Sequence, residues 1–334
     1  MKSLSRSMVR IARVSSVEIR RVFLRLVVIL TALYPAAAHP AVSSDTAGLI
    51  DIGSGREMYL ECRGRGSPTV VLISGKGNGA ADWSEILDPA DPVRKLPYDM
   101  AGHDEGAAIY RSDVAVFPLV SGFTRVCAYD RPGTRIDGKD ISTPVPQPHP
   151  VDEDVDDLHK LLTATGEPGP YVLVAHSYGG LIARLFARSY PKEVVGLVMI
   201  DIASEYMQRT ASPEALARWD ELNRMSSPEA PEAIEVLDGF AKINAAPELP
   251  HLPAIVLSAD KPWDPDQMAA LTNKVGGAVV TWEDWLAAQD LLAASTTGKH
   301  VKHTDSGHFV YLYAPQLVVD AIHEVVAIVR SGSR

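Results

Sequence analysis

The chain has 334 residues, 46% of them apolar, enough for one large domain with a substantial core plus an insertion. Its 32 basic and 42 acidic residues leave a net charge of −10. The imbalance is uneven, because the first 38 residues hold seven basic side chains and one acid, and the remainder therefore carries −16. A body that acidic excludes nucleic acid and anionic membrane surfaces as expected partners.

Residues 1–38 read as an export signal. Arg20-Arg21-Val22-Phe23-Leu24-Arg25 has the form of a twin-arginine address, an apolar run from Leu26 to Leu33 follows, and Ala36-Ala37-Ala38 offers a small-x-small cleavage pattern. The run is short for a membrane span, so no stable span is expected after cleavage; an uncleaved anchor is the alternative. The expected destination is a bacterial periplasm, cell envelope or exterior.

Beyond the signal, Leu49–Ile52 and Glu57–Cys62 flank Gly53-Ser54-Gly55-Arg56 and predict a β-hairpin. A buried strand is predicted at Thr69–Ser74, followed by Gly75-Lys76-Gly77-Asn78-Gly79, where three glycines let backbone approach a ligand closely. The loop lacks the spacing of a nucleotide-binding motif. Residues 80–122 form a long irregular piece, read as a first helix plus an inserted loop. A strand at Arg125–Tyr129 and a helix at Val151–Leu162, with apolar residues at 151, 155, 158, 161 and 162, come next.

Tyr171–Ala175 is an apolar run of strand length leading into His176-Ser177-Tyr178-Gly179-Gly180 and a helix-like segment. That is the layout of a nucleophile elbow, a turn so tight that small residues must flank the serine. Ala175 stands where glycine is usual. A serine hydroxyl needs a base and an orienting carboxylate. His308, in Ser306-Gly307-His308 after a short strand around Val301 and before a helix at Pro315–Arg330, is the candidate base. Asp201, at the exit of the strand Val194–Ile200, is the favoured acid. Asp260 and Asp264, after the strand Ile255–Leu257, are the competitors. The backbone N–H groups of Lys76 and Tyr178 are the candidate oxyanion donors. Between the Asp201 strand and the next, residues 204–250 interrupt the alternation with helix-compatible stretches at Ser212–Met225 and Pro228–Ile243. A further helix is expected at Trp282–Leu292. The alternation elsewhere implies an α/β fold, with a mostly parallel sheet covered by helices on both faces. His300 and His303 would point to opposite strand faces, so no metal site and no cofactor are expected.

The Ala-His-Ser-Tyr-Gly-Gly elbow, the Ser-Gly-Lys-Gly loop, the Tyr129-Asp130-Arg131-Pro132-Gly133 turn and the late Ser-Gly-His together resemble the α/β-hydrolase superfamily, and within it the serine-nucleophile esterases and lipases. The resemblance spans Leu49 to Arg330. It implies an eight-stranded sheet, a core formed by 39–203 and 251–334, and a helical cap or lid at 204–250 after the sixth strand. In the family the acid usually follows the seventh strand, but some members place it after the sixth, as Asp201 would be. The serine at 177 sets the chain apart from members with an aspartate nucleophile. The family fold also makes the strands of Cys62 and Cys127 antiparallel neighbours, and export would permit a disulfide between them. The expected activity is hydrolysis of a small-molecule carboxylic ester through a Ser177–His308–Asp201 triad. An exported aminopeptidase or amidase with an acidic anchor at Glu205 or Glu214 is the second reading, and a non-catalytic binding protein on the same fold is the third.

Overall fold

A computed structural model describes residues 45–87, 109–135, 140–296 and 298–332. The export signal read at 1–38 lies outside them, as does the middle of the 80–122 insertion. Eight strands form one sheet: β1 (Thr46–Gly53), β2 (Arg56–Arg63), β3 (Thr69–Ile73), β6 (Val126–Tyr129), β7 (Tyr171–His176), β8 (Val194–Ile200), β9 (Ala254–Leu257) and β10 (Lys299–Val301). Two short strands, β4 (Glu85–Leu87) and β5 (Ile109–Arg111), pair separately. The large sheet runs β1-β2-β6-β3-β7-β8-β9-β10. Only the β1–β2 and β2–β6 pairings are antiparallel.

The centre of the sheet is apolar on both faces, as a parallel sheet covered by helices requires. Val71, Ile73, Leu173, Ala175, Leu197 and Met199 belong to one buried layer, with helices α2 (Val151–Thr165), α3 (Gly179–Ser189) and α8 (Trp282–Ala294) packed on it. Val70, Leu72, Val172, Val174, Val198 and Ile200 face the other layer, under α1 (Val116–Ser121) and α10 (Pro315–Ser331). The period-two alternation of these strands feeds both cores at once. No helix among the described residues is long and apolar enough to cross a membrane.

Cys62 and Cys127 sit directly opposite each other on β2 and β6 and form a disulfide, with Cα atoms 4.1 Å apart. The described part of the insertion holds a 3₁₀ turn at Ala81–Ser84, the β4–β5 pair and α1. The sixth strand of the large sheet, β8, is followed by α4 (Met207–Thr210), α5 (Pro213–Arg224) and α6 (Val236–Ala245). The helix expected from Pro228 therefore begins eight residues late. Pro228 and Pro231 lack the N–H groups a helix interior uses, and residues 226–235 stay non-helical instead, with a turn closed between Ser227 and Ala230. Among the described residues the remaining helices are α7 (Pro265–Lys274) and the short α9 (Val310–Tyr313).

Candidate active site

The sharpest turn in the fold follows β7. Ser177 sits at φ +51°, in the left-handed region that a side chain with a Cβ rarely occupies. Its conformation is enforced on both sides. A Cβ on Gly179 would lie 2.4 Å from the Ile73 carbonyl oxygen, and one on Gly180 2.3 Å from Ile202. Only glycine lets α3 start this close to the ends of the strands. The Ser177 N–H donates to the Ile200 carbonyl at 3.3 Å, and its carbonyl accepts from Ala203 at 3.0 Å, which ties the elbow to the end of β8.

Asp201, the first residue after β8, is also left-handed, at φ +45°. It is fully buried. Its Oδ1 accepts the Ala259 N–H at 3.2 Å and its Oδ2 meets Nδ1 of His308 at 2.6 Å. Asp260 does something different: its carboxylate accepts the N–H groups of Thr304, Asp305 and Ser306 at 2.9–3.1 Å and so builds the loop that carries His308. Asp264 caps α7 through the N–H groups of Asp266 and Gln267. Of the three carboxylates considered, Asp201 alone reaches the imidazole.

His176, the residue before the serine, is buried under this assembly. Its Nε2 lies 3.0 Å from the His308 carbonyl and its ring 4.6 Å from the His308 ring. Burial, with His308 adding to it, pushes the His176 imidazole well below its usual range, so it is neutral and donates from Nε2. Among the described residues no hydrogen bond joins the Ser177 hydroxyl to the His308 ring; the link between the elbow and the pair runs through His176, the neighbour of Ser177 in the chain. Trp285 meets the His308 ring edge-on at 5.7 Å and is backed by Trp263 and Trp219.

The glycine-rich loop closes the other side. A Cβ on Gly75 would lie 3.0 Å from the Ser177 Cβ, so backbone passes directly over the elbow. Among the described residues the N–H groups of Lys76 and Tyr178 donate to no protein acceptor. The Lys76 ammonium crosses to the carbonyls of Asn223 and Met225 at 2.7 and 3.2 Å, and burial lowers its pKa to about 8 against the opposing pull of Glu232. The Tyr178 hydroxyl donates to Asp154 at 2.6 Å.

This arrangement of sheet, elbow and late histidine has relatives. Residues 70–321 match the model of the alpha/beta hydrolase family, well over half of the chain. The chain belongs to the alpha/beta hydrolase family. An uncharacterized Bacillus subtilis protein, YqjL, is 25% identical over 264 residues, covering 79% of this chain and 85% of YqjL. An uncharacterized Schizosaccharomyces pombe protein is 34% identical over 150 residues, but that match spans 44% of this chain and only 26% of the yeast protein. Among solved structures, a putative lipase from Acinetobacter baumannii superposes with a TM-score of 0.53 at 16% identity, covering 87% of this chain and 93% of the lipase. A bromoperoxidase from Bacillus anthracis gives 0.51 at 17%, covering 84% and 100%. These likenesses establish the fold.

Within this hydrolase fold several buried polar residues carry the site without having been singled out by the sequence. Arg131 was visible only as part of the turn after β6, and Glu232 as one acid among many in a proline-broken stretch. Both are almost fully buried. Glu205, considered as an anchor for a free amine, is committed to Arg184 and Arg188 beneath the surface. Glu214 is exposed in the first turn of α5.

Proposed function

We propose that the protein is a serine hydrolase that cleaves carboxylic esters of small molecules through an acyl-enzyme. The observation that carries the reading is the 2.6 Å contact between His308 and the buried Asp201, in a chain whose Ser177 is held in a left-handed elbow directly after His176, the residue that contacts His308. With Nδ1 donating to Asp201, the lone pair of the neutral imidazole lies on Nε2, the atom that can take a proton from the serine. Ser177 attacks the ester carbonyl, His308 receives the hydroxyl proton, and Asp201 steadies the imidazolium. The N–H groups of Lys76 and Tyr178 receive the oxyanion. His308 then protonates the leaving alcohol, and water activated by the same nitrogen releases the acid.

The 204–250 segment serves as a roof over this site in the same reading. Support comes from the Lys76 ammonium bonded to Asn223 and Met225 at the end of α5. The tryptophan wall beside His308 favours an ester with an apolar moiety. Residues 1–38 direct export, in keeping with a disulfide that persists in oxidising compartments. N-terminal sequencing of the protein recovered from the cell envelope tests that part, and an intact first residue on a cytoplasmic protein refutes it.

For the chemistry, Ser177→Ala is expected to abolish labelling by a fluorophosphonate probe and hydrolysis of short p-nitrophenyl esters while the melting temperature holds. Turnover that survives the change refutes the assignment.

A further inference from the structure

A buried ion pair grips the glycine-rich loop from outside the site. Arg131, 1% exposed, follows β6, and Glu232, 4% exposed, comes from the non-helical stretch between α5 and α6. Arg131 Nε donates to Glu232 Oε1 at 2.7 Å and Nη2 to Oε2 at 3.2 Å. The remaining donors of the fork point at the loop: Nη1 to the Ser74 carbonyl at 2.9 Å and Nη2 to the Gly75 carbonyl at 2.7 Å. Glu232 completes the grip by accepting the Gly77 N–H at 2.5 Å. Burial opposes the guanidinium charge, but Glu232 outweighs it, so Arg131 remains protonated.

The chemistry of one peptide unit makes this more than a structural tie. The Gly75 carbonyl and the Lys76 N–H belong to the same planar trans amide, so they point in opposite directions. With the carbonyl held by Arg131, the N–H is fixed facing away from the guanidinium. The next peptide is locked as well. The Asn78 N–H returns to the Gly75 carbonyl at 3.2 Å, closing a turn with Lys76 and Gly77 at its centre, and Gly77 has the φ of +73° that the third position of a type II turn demands. Rotating the central peptide would break the Gly77–Glu232 bond.

We propose that the Arg131–Glu232 pair is a positioning device for the oxyanion-binding peptide, and that the buried guanidinium also polarises this peptide so that the Lys76 N–H donates more strongly. This rests on the serine hydrolase reading given above. Hydrogen bonds in series strengthen one another in a low-dielectric interior, and a full positive charge at the carbonyl end is the strongest such partner. The benefit is realised only when negative charge develops on the substrate oxygen. It therefore belongs to the transition state rather than to substrate binding. Because Glu232 lies in the 204–250 segment, a displaced roof would also loosen the oxyanion loop.

Two variants test this against a purely structural role. Arg131→Met combined with Glu232→Met removes both charges together and leaves neither one buried alone. Glu232→Gln keeps the shape and the acceptor for Gly77 but turns an NH2 toward Arg131 Nε, so it loosens the grip while leaving the guanidinium charge in place. With a short p-nitrophenyl ester, the double variant is expected to lose about 10–100-fold in kcat, less than the roughly 100–1,000-fold that outright removal of an oxyanion donor costs, and Glu232→Gln about fivefold. KM should stay within about threefold in both. Affinity for a trifluoromethyl ketone, which adds to the serine and forms an oxyanion, should fall by the same factor as kcat, while affinity for the unreactive product alcohol holds. A folded variant with parental kcat and parental trifluoromethyl ketone affinity overturns the proposal, and so does a loss confined to KM. Should the double variant fail to fold, Glu232→Gln decides by the same criteria. Fluorophosphonate labelling of the parent separates the two levels: an unlabelled parent refutes the hydrolase reading itself, whereas a labelled parent with unaltered variants refutes only the positioning role.

Discussion

Ser177 and Asp201 each follow directly on a parallel strand, β7 and β8, and each is left-handed. A side chain held there costs roughly 1–3 kcal/mol, so two in adjacent loops are a sizeable local strain. Both conformations turn a side chain out of the end of the sheet, where the two loops meet His308. Asn tolerates left-handed backbone better than most residues, so Asp201→Asn isolates chemistry from folding. With the amide oxygen kept on the Ala259 N–H, the NH2 faces Nδ1, donates to it and favours the other tautomer; kcat is expected to fall about 10⁴-fold with little change in stability. Asp260→Asn should do the reverse. Its carboxylate supports three N–H groups of the His308 loop, and weakening them is expected to cost about 1–3 kcal/mol while activity per folded molecule changes far less. Ester turnover and urea melts of both variants separate the roles. A larger catalytic loss in Asp260→Asn than in Asp201→Asn would move the acid assignment to the later loop.

The elements repeat this division between what local pattern dictates and what distant partners decide. β3, β7 and β8 are legible because their runs are apolar on both faces and almost entirely buried, which few other structures require. The elbow is legible because the turn itself demands small residues. β1 begins at Thr46 rather than Leu49 because an edge strand's start is set by its partner, here Cys62 opposite Thr46, rather than by apolar periodicity. The start of α6 was hidden for a related reason. A window rich in Ala, Glu and Ile reads as helix, yet two prolines and the demand for Glu232 at Arg131 keep residues 226–235 out of a helix. Arg131 and Glu232 lie 101 positions apart, and no local signal tells a buried carboxylate from a solvated one. The Cys62–Cys127 bridge was legible only through the strand neighbourhood that the family resemblance implies, and it carries its own prediction. It joins β2 to β6, and β3 stands between β6 and the elbow strand β7. Cys62→Ser with Cys127→Ser should lower unfolding free energy by about 2–4 kcal/mol yet leave kcat near the parental value, and dithiothreitol should shift the parent's urea midpoint to that of the variant. A midpoint unmoved by reduction would show the bridge to be absent from the protein in solution.

At the scale of the whole molecule, the elbow is joined to the sheet margin by a buried polar chain that makes stability depend on pH. The Tyr178 hydroxyl donates to Asp154, His149 lies 3.9 Å from Asp154 and 3.3 Å from Asp157, and Arg56 closes the chain on Asp157. Burial raises Asp154 to about 7, against the partial relief of Arg131. An unfolded aspartate titrates near 3.9. The folded chain therefore holds this proton more tightly, so stability declines as pH rises from about 4 to about 7, and the full cost, at most about 4 kcal/mol, stands above that. His149 works in the same direction: although burial opposes it, Asp157 and Asp154 raise its pKa, and its contribution is lost as pH rises through the raised value. Asp157 opposes both, because His149 and Arg56 outweigh burial and lower it, so its contribution is present above the unfolded value and disappears in acid. The parent should accordingly melt at a lower temperature at pH 8.5 than at pH 6. Asp154→Asn keeps an oxygen for the Tyr178 hydroxyl and removes the ionisation, so the variant should gain on the parent most at pH 8.5 and by roughly a third as much at pH 5. Thermal melts of both proteins across pH 5–9 provide the check. Parallel curves for parent and variant would mean that Asp154 does not change its protonation on folding, and the pH dependence would then have to originate elsewhere in the chain.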